Sequence, residues 1–203
     1  MPEEEQLRRG RPRDPDVEDR VFDAVMSLYS QVGWTGFTVD AIAKQSGIGK
    51  AAIYRRWSSR TALLAQAFEA RWYVINNIDT GNIRTDLVAL TSELFNHMTG
   101  QYGDATLHMS LDRKRFPEVR ESTEPYTSGL VHAARAIVRR AVQRGELPKG
   151  TDPTLALDLI VGGVMNHVAA TPTDLRPAME RKMHAYGETL VDTILRGISP
   201  QSS

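Results

Sequence analysis

The sequence predicts an all-α fold. Apolar residues recur at intervals of three and four along most of the 203 residues, which is the spacing of amphipathic helices. Glycine, proline and capping residues stand where these stripes begin and end, and no segment alternates apolar and polar residues as a half-buried strand does. A hydrophobic content of 41% suits a compact helical protein with a sizeable core.

The composition limits the possible chemistry. The 25 basic residues balance the 25 acidic ones, and the chain has no cysteine, which excludes disulfides, thiolate metal sites and cysteine nucleophiles. The acidic amino terminus is not followed by an apolar run, so we expect no signal peptide. The most apolar stretch, residues 155–170, contains Asp158, Asn166 and His167 and is expected to fall short of a membrane span. We therefore expect a cytoplasmic protein without a membrane partner.

The first helix is predicted to begin at Asp14-Pro15, a capping residue followed by proline at the first helical position. It is predicted to end at Gly33, where a stripe of apolar residues at helical spacing stops. The members of this stripe are Val17, Val21, Val25, Leu28 and Val32.

Two short helices joined by a glycine turn are predicted next, over residues 37–57. Thr38 can cap the first of them, and Gly47 can end it in a left-handed conformation. The second helix begins at Lys50, and Ile53 and Trp57 lie four residues apart on its inner face. This arrangement is typical of a helix-turn-helix.

The charges of this segment indicate a nucleic-acid partner. Every charged residue between Asp40 and Glu69 is basic, although the chain as a whole is neutral. An acid-free basic segment is typical of a polyanion-binding site. Small side chains on the outer face of the second helix let the backbone approach a DNA groove, and the longer ones can reach phosphates or guanine edges. This face consists of Lys50, Ala51, Ala52, Tyr54, Arg55 and Arg56.

Over residues 15–65 the sequence resembles the amino-terminal domain of TetR-family one-component repressors. The resemblance implies that Thr38, Lys50, Tyr54 and Arg60 contact DNA. In the family a serine or threonine often stands at the position of Gly49, and a lysine is usual at the position of Arg60. We assign residues 15–60 to the DNA-binding domain. The resemblance is carried by residues 33–39, Ile42-Ala43, Gly47-Ile48, residues 53–57, Arg60 and Leu63.

Residues 1–14 are predicted to form a flexible basic arm. The run of residues 6–13 has a single apolar side chain and contains both glycine and proline, so it cannot pack into a core. The arm either enters the minor groove beside the recognition helix or remains a solvated tail.

Residues 61–203 are predicted to form a helical ligand-binding and dimerisation domain. A helix over residues 59–76 leaves the DNA-binding unit and enters this domain as a connecting rod. Further helices end at Phe116-Pro117 and at Gly145, and Asp152-Pro153 begins one that is apolar on nearly every side.

Methionine and aromatic side chains suggest a ligand cavity in this domain, because adaptable methionines and aromatic walls suit small-molecule sites. Plain core packing is the alternative. His97 and His108 can contact a ligand or serve a structural role, but no pair has metal-ligand spacing, so we predict neither a metal nor a cofactor. The predicted ligand-binding residues are Phe68, Trp72, Phe95, Met98, Met109 and Tyr126.

The resemblance also implies a homodimer, in which the last two helices pair with their twins. We assign residues 153–170 and 175–196 to this interface; the alternative is that both helices fill a monomer core. The step Gly162-Gly163 would allow a close approach of backbones. The remaining predicted interface residues are Met165, Met183, Tyr186 and Leu190.

Enzyme signatures are missing from the sequence. Residues 47–50 superficially match a phosphate loop, but Lys44 replaces its first glycine and Ala51 its magnesium-binding Ser or Thr. We therefore predict a ligand-responsive repressor that binds a palindromic operator as a dimer and is released by a small-molecule effector. A transcriptional activator, or an architectural DNA-binding protein of the same fold without a ligand, remains the alternative.

Overall fold

The computed structural model describes residues 16–71, 75 and 78–198, which are almost entirely helical and contain no strand. The predicted all-α fold is confirmed. A short 3₁₀ turn, Thr173–Leu175, precedes the last helix. The α-helices are α1 (Asp16–Gly36), α2 (Val39–Ser46), α3 (Lys50–Arg56), α4 (Arg60–Arg71), α5 (Ile83–Thr99), α6 (Gly103–Arg115), α7 (Pro117–Arg144), α8 (Pro153–Ala170) and α9 (Arg176–Ile198).

Helix α1 breaks where the sequence predicts its end. Gly33 has φ 57° and ψ −165°, a conformation that favours glycine, and one further turn continues to Gly36. The predicted stripe is buried except at Val32, which is 42% exposed. The predicted burial of Val32 is wrong, because α1 breaks at the next residue and the regular helical spacing ends there; beyond the break, Trp34 is 2% exposed. The predicted start at Asp14-Pro15 and the basic arm lie outside the described residues.

Helices α1 to α4 share one core. Its members include Tyr29 and Ile53 and extend along α4 as far as Phe68. Ala105 and Met109 of α6 also belong to this core, so α6 packs directly against the amino-terminal helices. The predicted boundary at residues 60 and 61 stays a prediction, although the shared core continues beyond it.

The predicted connecting rod is shorter than expected. Helix α4 ends at Arg71, and Ile75 lies outside any helix, whereas the sequence predicted a helix to residue 76. The Arg71 guanidinium binds Asp19 at 2.5 Å and Asp23 at 2.8 Å, which holds the end of α4 against α1. Ile75 packs against the carboxyl-terminal core.

The carboxyl-terminal bundle consists of α5 to α9, and its predicted helix ends are confirmed. Helix α6 stops before Phe116-Pro117, and α7 ends at Gly145, which has φ 79°. The Asp152 side chain accepts a hydrogen bond from the Thr154 N–H at 2.8 Å and caps α8, which begins with Pro153.

Helix α8 has the length and composition of a membrane span, with 18 residues and a mean hydropathy of 1.2, contrary to the expectation from its polar residues. In the fold it packs against α5, α7 and α9, and Ile160 and Val164 are fully buried. Packing against three neighbouring helices accounts for part of this apolar composition, and the exposed Leu155 and Leu159 make up another part.

Candidate nucleic-acid interface and ligand cavity

The first helix of the predicted helix-turn-helix has the expected ends. The Thr38 Oγ1 accepts a hydrogen bond from the Ala41 N–H at 3.2 Å, as an N-cap does. Gly47 adopts φ 71° and ψ 15°, and its N–H donates to the Ala43 carbonyl at 3.1 Å. A left-handed residue therefore closes α2 and turns the chain towards α3.

Helix α3 is held in place through its inner face. Ile53 is 1% exposed and Trp57 is 3% exposed, as the sequence predicted. The Trp57 Nε1 donates to the Gln66 Oε1 at 2.9 Å, and its ring lies 5.7 Å from that of Phe22. These contacts attach the end of α3 to α1 and α4, so its outer face has a fixed orientation.

The outer face of α3 carries most of the predicted DNA contacts. Tyr54 is 57% exposed, so its ring and hydroxyl are available to a binding partner. Ala52 is half-buried against the amino-terminal core, so its methyl group is only partly available. The exposed residues of the predicted set are Thr38, Lys50, Ala51, Tyr54 and Arg55.

The two remaining arginines of the predicted set make contacts within the protein. The Arg60 Nη1 donates to the Phe37 carbonyl at 3.0 Å, and its guanidinium lies 3.9 Å from the centre of the Trp34 ring. Arg56 turns towards its own helix, where its Nη1 donates to the Ala52 carbonyl at 3.5 Å. Both side chains are half-buried, which sequence spacing did not indicate.

An acidic residue reaches the basic face from across the turn. Asp40 in the first turn of α2 forms an ion pair with the Lys50 ammonium, and both side chains are more than half exposed. Asp40 bounds the acid-free segment in the sequence, but the turn brings it back beside the start of α3. The free protein therefore partly neutralises the cation that stands first on the recognition helix.

A buried carboxylate joins α6 to α1. The Asp112 Oδ2 accepts hydrogen bonds from the Tyr29 hydroxyl at 2.9 Å and from the Trp34 N–H at 2.7 Å. Burial, and then the Asp112 carboxylate, raise the pKa of Tyr29 well above its usual value. The helix break at Gly33 exposes the Trp34 N–H for this bond, and a Cβ at Gly33 would lie 2.7 Å from the His108 Nδ1. His108, a candidate ligand residue in the sequence, thus packs at this junction.

A cavity of about 610 Å³ lies between α5, α6, α7 and α8. Aliphatic and methionine side chains are half of its lining residues and contribute most of its lining surface. Within the described residues, no group of three or more His, Asp or Glu side chains is placed to hold a metal ion. The apolar walls include Leu90, Leu94, Met98, Met109, Leu157, Val161 and Met165, and the polar lining includes His97, Thr106, Arg113, Glu124, Arg135 and Asp158.

Only two of the predicted ligand residues, Met98 and Met109, line this cavity. Phe68 packs in the amino-terminal core, 5.5 Å from the Tyr29 ring, and Phe95 packs against Tyr186 at 5.7 Å. Tyr126 donates its hydroxyl to the Glu69 Oε2 at 3.2 Å and lies outside the cavity wall. The rings of Phe68 and Phe95 fill cores and Tyr126 is half-buried beside Glu69, which corrects the placement of these three residues in the cavity. Trp72 lies outside the described residues.

Sequence reasoning missed the charged part of the wall. Arg113 and Arg135 both line the cavity, and the available signal was an arginine beside an inward-facing helical stripe. His97, a candidate ligand contact in the sequence, also lines it. The His97 Nε2 lies 2.6 Å from the Thr106 Oγ1, and burial lowers the pKa of the imidazole, which favours its neutral form.

The predicted interface residues of α8 and α9 largely pack within the protomer. A Cβ at Gly163 would lie 3.0 Å from a methyl group of Leu190, so the close approach at this glycine is intramolecular. Tyr186 stacks on His167 with ring centres 4.0 Å apart, and Met165 faces the cavity. Of the other two predicted residues, Met183 is half-buried, and Gly162 is exposed with open space before it.

Two family models match the sequence. The model described as "Bacterial regulatory proteins, tetR family" matches residues 21–67, which contain α2, α3 and most of α4. The model described as "Tetracyclin repressor-like, C-terminal domain" matches residues 77–193, more than half of the chain. The chain belongs to the TetR family. TetR-family proteins are DNA-binding transcriptional regulators, so this chain is a regulator and not an enzyme.

Relatives within the TetR family cover almost the whole chain. The HTH-type transcriptional regulator YdeS of Bacillus subtilis (strain 168) is 27% identical over 203 residues, which are 98% of either chain. The HTH-type regulator AqdR of Rhodococcus erythropolis is 28% identical over 169 residues, covering 82% of this chain and 81% of the relative. The crystal structure of FadR from Bacillus subtilis in complex with stearoyl-CoA superimposes with a TM-score of 0.65 at 18% identity, over 89% of this chain and 99% of that chain. This likeness establishes the shared TetR-family fold.

Proposed function

We propose that this TetR-family regulator is a repressor that binds a palindromic operator as a homodimer and releases it when a small molecule enters the cavity between α5 and α8. The observation that carries the proposal is the exposed outer face of α3, on a helix whose inner face is fixed in the core. The DNA-bound protein acts in the cytoplasm, where its operator lies.

The structure favours a division of labour among the predicted DNA contacts. Lys50, Tyr54 and Arg55 are exposed and able to reach phosphates or base edges, while Ala51 permits a close approach. Arg60 is held by a carbonyl and an indole ring, so its main contribution is to the position of α4 against the helix-turn-helix. Arg56, half-buried beside α3, is the weakest candidate of the set.

The homodimer is supported by an exposed apolar stripe on α8. Leu155 is 58% exposed and Leu159 is 47% exposed, and Gly162 continues the stripe one turn later. A second copy related by a twofold axis would cover this stripe with the same stripe of its own. The dimer interface therefore uses the outward side of α8, whereas Gly163 and Leu190 hold α8 to α9 within each protomer.

A small-molecule effector is supported by the cavity. Its volume of about 610 Å³ lies within the range of ligand-binding pockets, and its walls are mainly apolar. The FadR structure is a complex with stearoyl-CoA, so a protein of this fold accommodates a small molecule. An architectural DNA-binding protein would have no use for such a cavity, which makes that alternative less favoured.

Helix α6 is the best candidate for transmitting effector binding to the DNA-binding helices. Met109 lines the cavity and also belongs to the amino-terminal core. Asp112, less than one turn further along the same helix, holds Tyr29 and Trp34 of α1. A ligand that displaces α6 would therefore move α1 and change the separation of the two recognition helices, which must match successive major grooves about 34 Å apart.

An operator titration tests the proposal. Footprinting on DNA upstream of the protein's own gene would identify a palindromic site, and Lys50→Ala should weaken binding there by roughly 1–3 kcal/mol. Lys149→Ala is the matched control, because Lys149 is an exposed lysine in the loop after α7. If the two variants bound the operator as tightly as wild type, the proposed recognition face would be wrong.

A further inference from the structure

The chemistry of the cavity wall specifies the ligand more closely. We propose that the cavity binds an amphipathic acid, whose carboxylate pairs with Arg135 and whose apolar body lies along the α5 and α8 walls. The inference rests on the proposed function in that it takes this cavity as the effector site.

The size and walls of the cavity define the apolar body. Leu90 and Leu94 of α5, and Leu157 and Val161 of α8, contribute branched aliphatic side chains. Methionine side chains add adaptable surface, which tolerates ligands of different shape. A volume of about 610 Å³ corresponds to about 20 water-sized groups. The cavity therefore has room for an acyl or alkyl-aryl body of up to about 20 non-hydrogen atoms.

The Arg135 guanidinium provides the charged end. It lines the cavity, its Nε is buried, and this atom has no hydrogen-bond partner. Within residues 16–71, 75 and 78–198, no carboxylate forms an ion pair with Arg135, whereas Arg140 one turn and a residue later on α7 is bridged to Asp79. Arg135 is half-buried, and leaving its buried Nε donor without a partner is costly. A planar carboxylate matches the donors of the guanidinium in a bidentate pair.

Among the described residues, the other basic side chains of the wall are Arg113, His97 and His132, and each contacts a protein group; the His132 Nδ1 lies 2.8 Å from the Ser128 carbonyl. The Arg113 Nη2 binds the Glu124 Oε2 at 2.5 Å, and its Nη1 donates to the Thr123 Oγ1 at 3.1 Å. Partial burial lowers the pKa of the His97 imidazole, which favours its neutral form. Of the two acidic residues described in the wall, Glu124 is paired with Arg113, whereas Asp158 has no ion pair and is exposed. A cationic ligand would have to use Asp158 and leave Arg135 uncompensated, so an acid is the better match.

Calorimetric titration with three probes of equal chain length tests the charge preference. The probes are decanoic acid, 1-decanol and decylamine. Each is added to the full-length wild-type protein at a concentration below that at which the probe itself aggregates. We expect the acid to bind about 10- to 100-fold more tightly than the alcohol, since a charge-assisted pair with Arg135 is lost in the alcohol. The amine should bind more weakly than the alcohol.

Two substitutions at one position assign the preference to Arg135. Arg135→Met keeps an unbranched apolar stem and removes the guanidinium. This variant should bind the acid and the alcohol with similar affinity, and its affinity for the alcohol should remain close to that of the wild type. Arg135→Lys should restore part of the preference for the acid. Arg139→Met is the matched control, because Arg139 is exposed one turn later on the same helix and does not line the cavity. Melting curves without probe report whether each variant is folded.

The proposal would be overturned if the acid did not bind, if the alcohol or the amine bound as tightly as the acid, or if Arg135→Met kept the wild-type preference. Its failure is distinguishable from failure of the proposed function. Operator binding without any probe tests the repressor assignment, whereas acid selectivity that depends on Arg135 supports the ligand class even if the acid did not release DNA.

Discussion

The contact between Asp112 and α1 makes a strong prediction about stability. Asp112→Ala removes the acceptor of two buried hydrogen bonds, from the Tyr29 hydroxyl and from the Trp34 N–H. A hydrogen bond to a charged group contributes about 1.5–3 kcal/mol, so the two together contribute about 3–6 kcal/mol. Part of this gain offsets the cost of burying the carboxylate. We therefore expect the substitution to lower the free energy of unfolding by about 2–4 kcal/mol.

Urea unfolding and thermal melting measure this loss. For a chain of this length the melting temperature should fall by about 4–16 °C, at a fixed protomer concentration because dimerisation is linked to folding. Asp112→Asn keeps an acceptor oxygen and should lose only about 1–2 kcal/mol. Asp104→Ala, an exposed carboxylate on the same helix, should change the stability by less than about 1 kcal/mol.

The same variants report on coupling between the cavity and the DNA-binding helices. If α6 transmits effector binding through Asp112, then folded Asp112→Asn should require more effector than wild type to release the operator, while binding the effector normally. Unfolding of Asp112→Ala at the wild-type urea midpoint would refute the energetic reasoning. An unchanged effector response in Asp112→Asn would refute the route through α6.

Four further predictions follow from single contacts. Asp40→Asn should tighten operator binding about 2- to 10-fold, because it frees Lys50 and removes an acid near the phosphates. A mobility-shift titration measures this change, and an affinity equal to that of the wild type would contradict the prediction. Arg60→Ala should lower the free energy of unfolding by about 1–3 kcal/mol, because a carbonyl and an indole lose their partner, and a purely DNA-binding role would leave urea unfolding unchanged. Leu159→Glu should give folded monomers, detected by sedimentation, and these should bind the operator more weakly because the avidity of the dimer is lost. A stable dimer of this variant would exclude the α8 stripe as the dimer interface. The raised pKa of Tyr29 favours its neutral form in the folded state, so the contribution of Tyr29 to the free energy of unfolding should be fully present below about pH 10 and should fall above it. Urea unfolding at increasing pH should show a smaller alkaline loss of stability in Tyr29→Phe than in the wild type.

The local structure of the DNA-binding helices was predictable because local chemistry determines it. Thr38 can cap α2 in any context, and Gly47 occupies a backbone conformation that disfavours most other residues. The four-residue spacing of Ile53 and Trp57 defines the inner face of α3 without knowledge of its partners. These features need only neighbours within one turn, so sequence alone contains the required information.

The contacts that assemble the domains were not predictable in this way. Asp112 meets residues of α1 that are about 80 positions away, and nothing in its own helical stripe indicates which group it accepts from. Arg60 has the charge and position of a phosphate contact, yet the Trp34 ring and a carbonyl hold it. The spacing of residues along a helix predicts which side chains share a face. It does not predict which other helix or group that face contacts.

The distribution of aromatic and methionine side chains explains why the predicted cavity was only partly right. Tyr29, Phe37 and Phe68 pack edge to face around the base of the DNA-binding helices, with ring centres 5.5–5.8 Å apart, which makes a rigid support for the recognition helix. The cavity instead uses flexible side chains such as Met98. Met109 belongs to both environments, so a ligand that repacks the methionine wall must press on α6, a helix that also packs against the rigid support. A soft wall and a stiff support joined through α6 would convert ligand binding into movement of the DNA-binding helices.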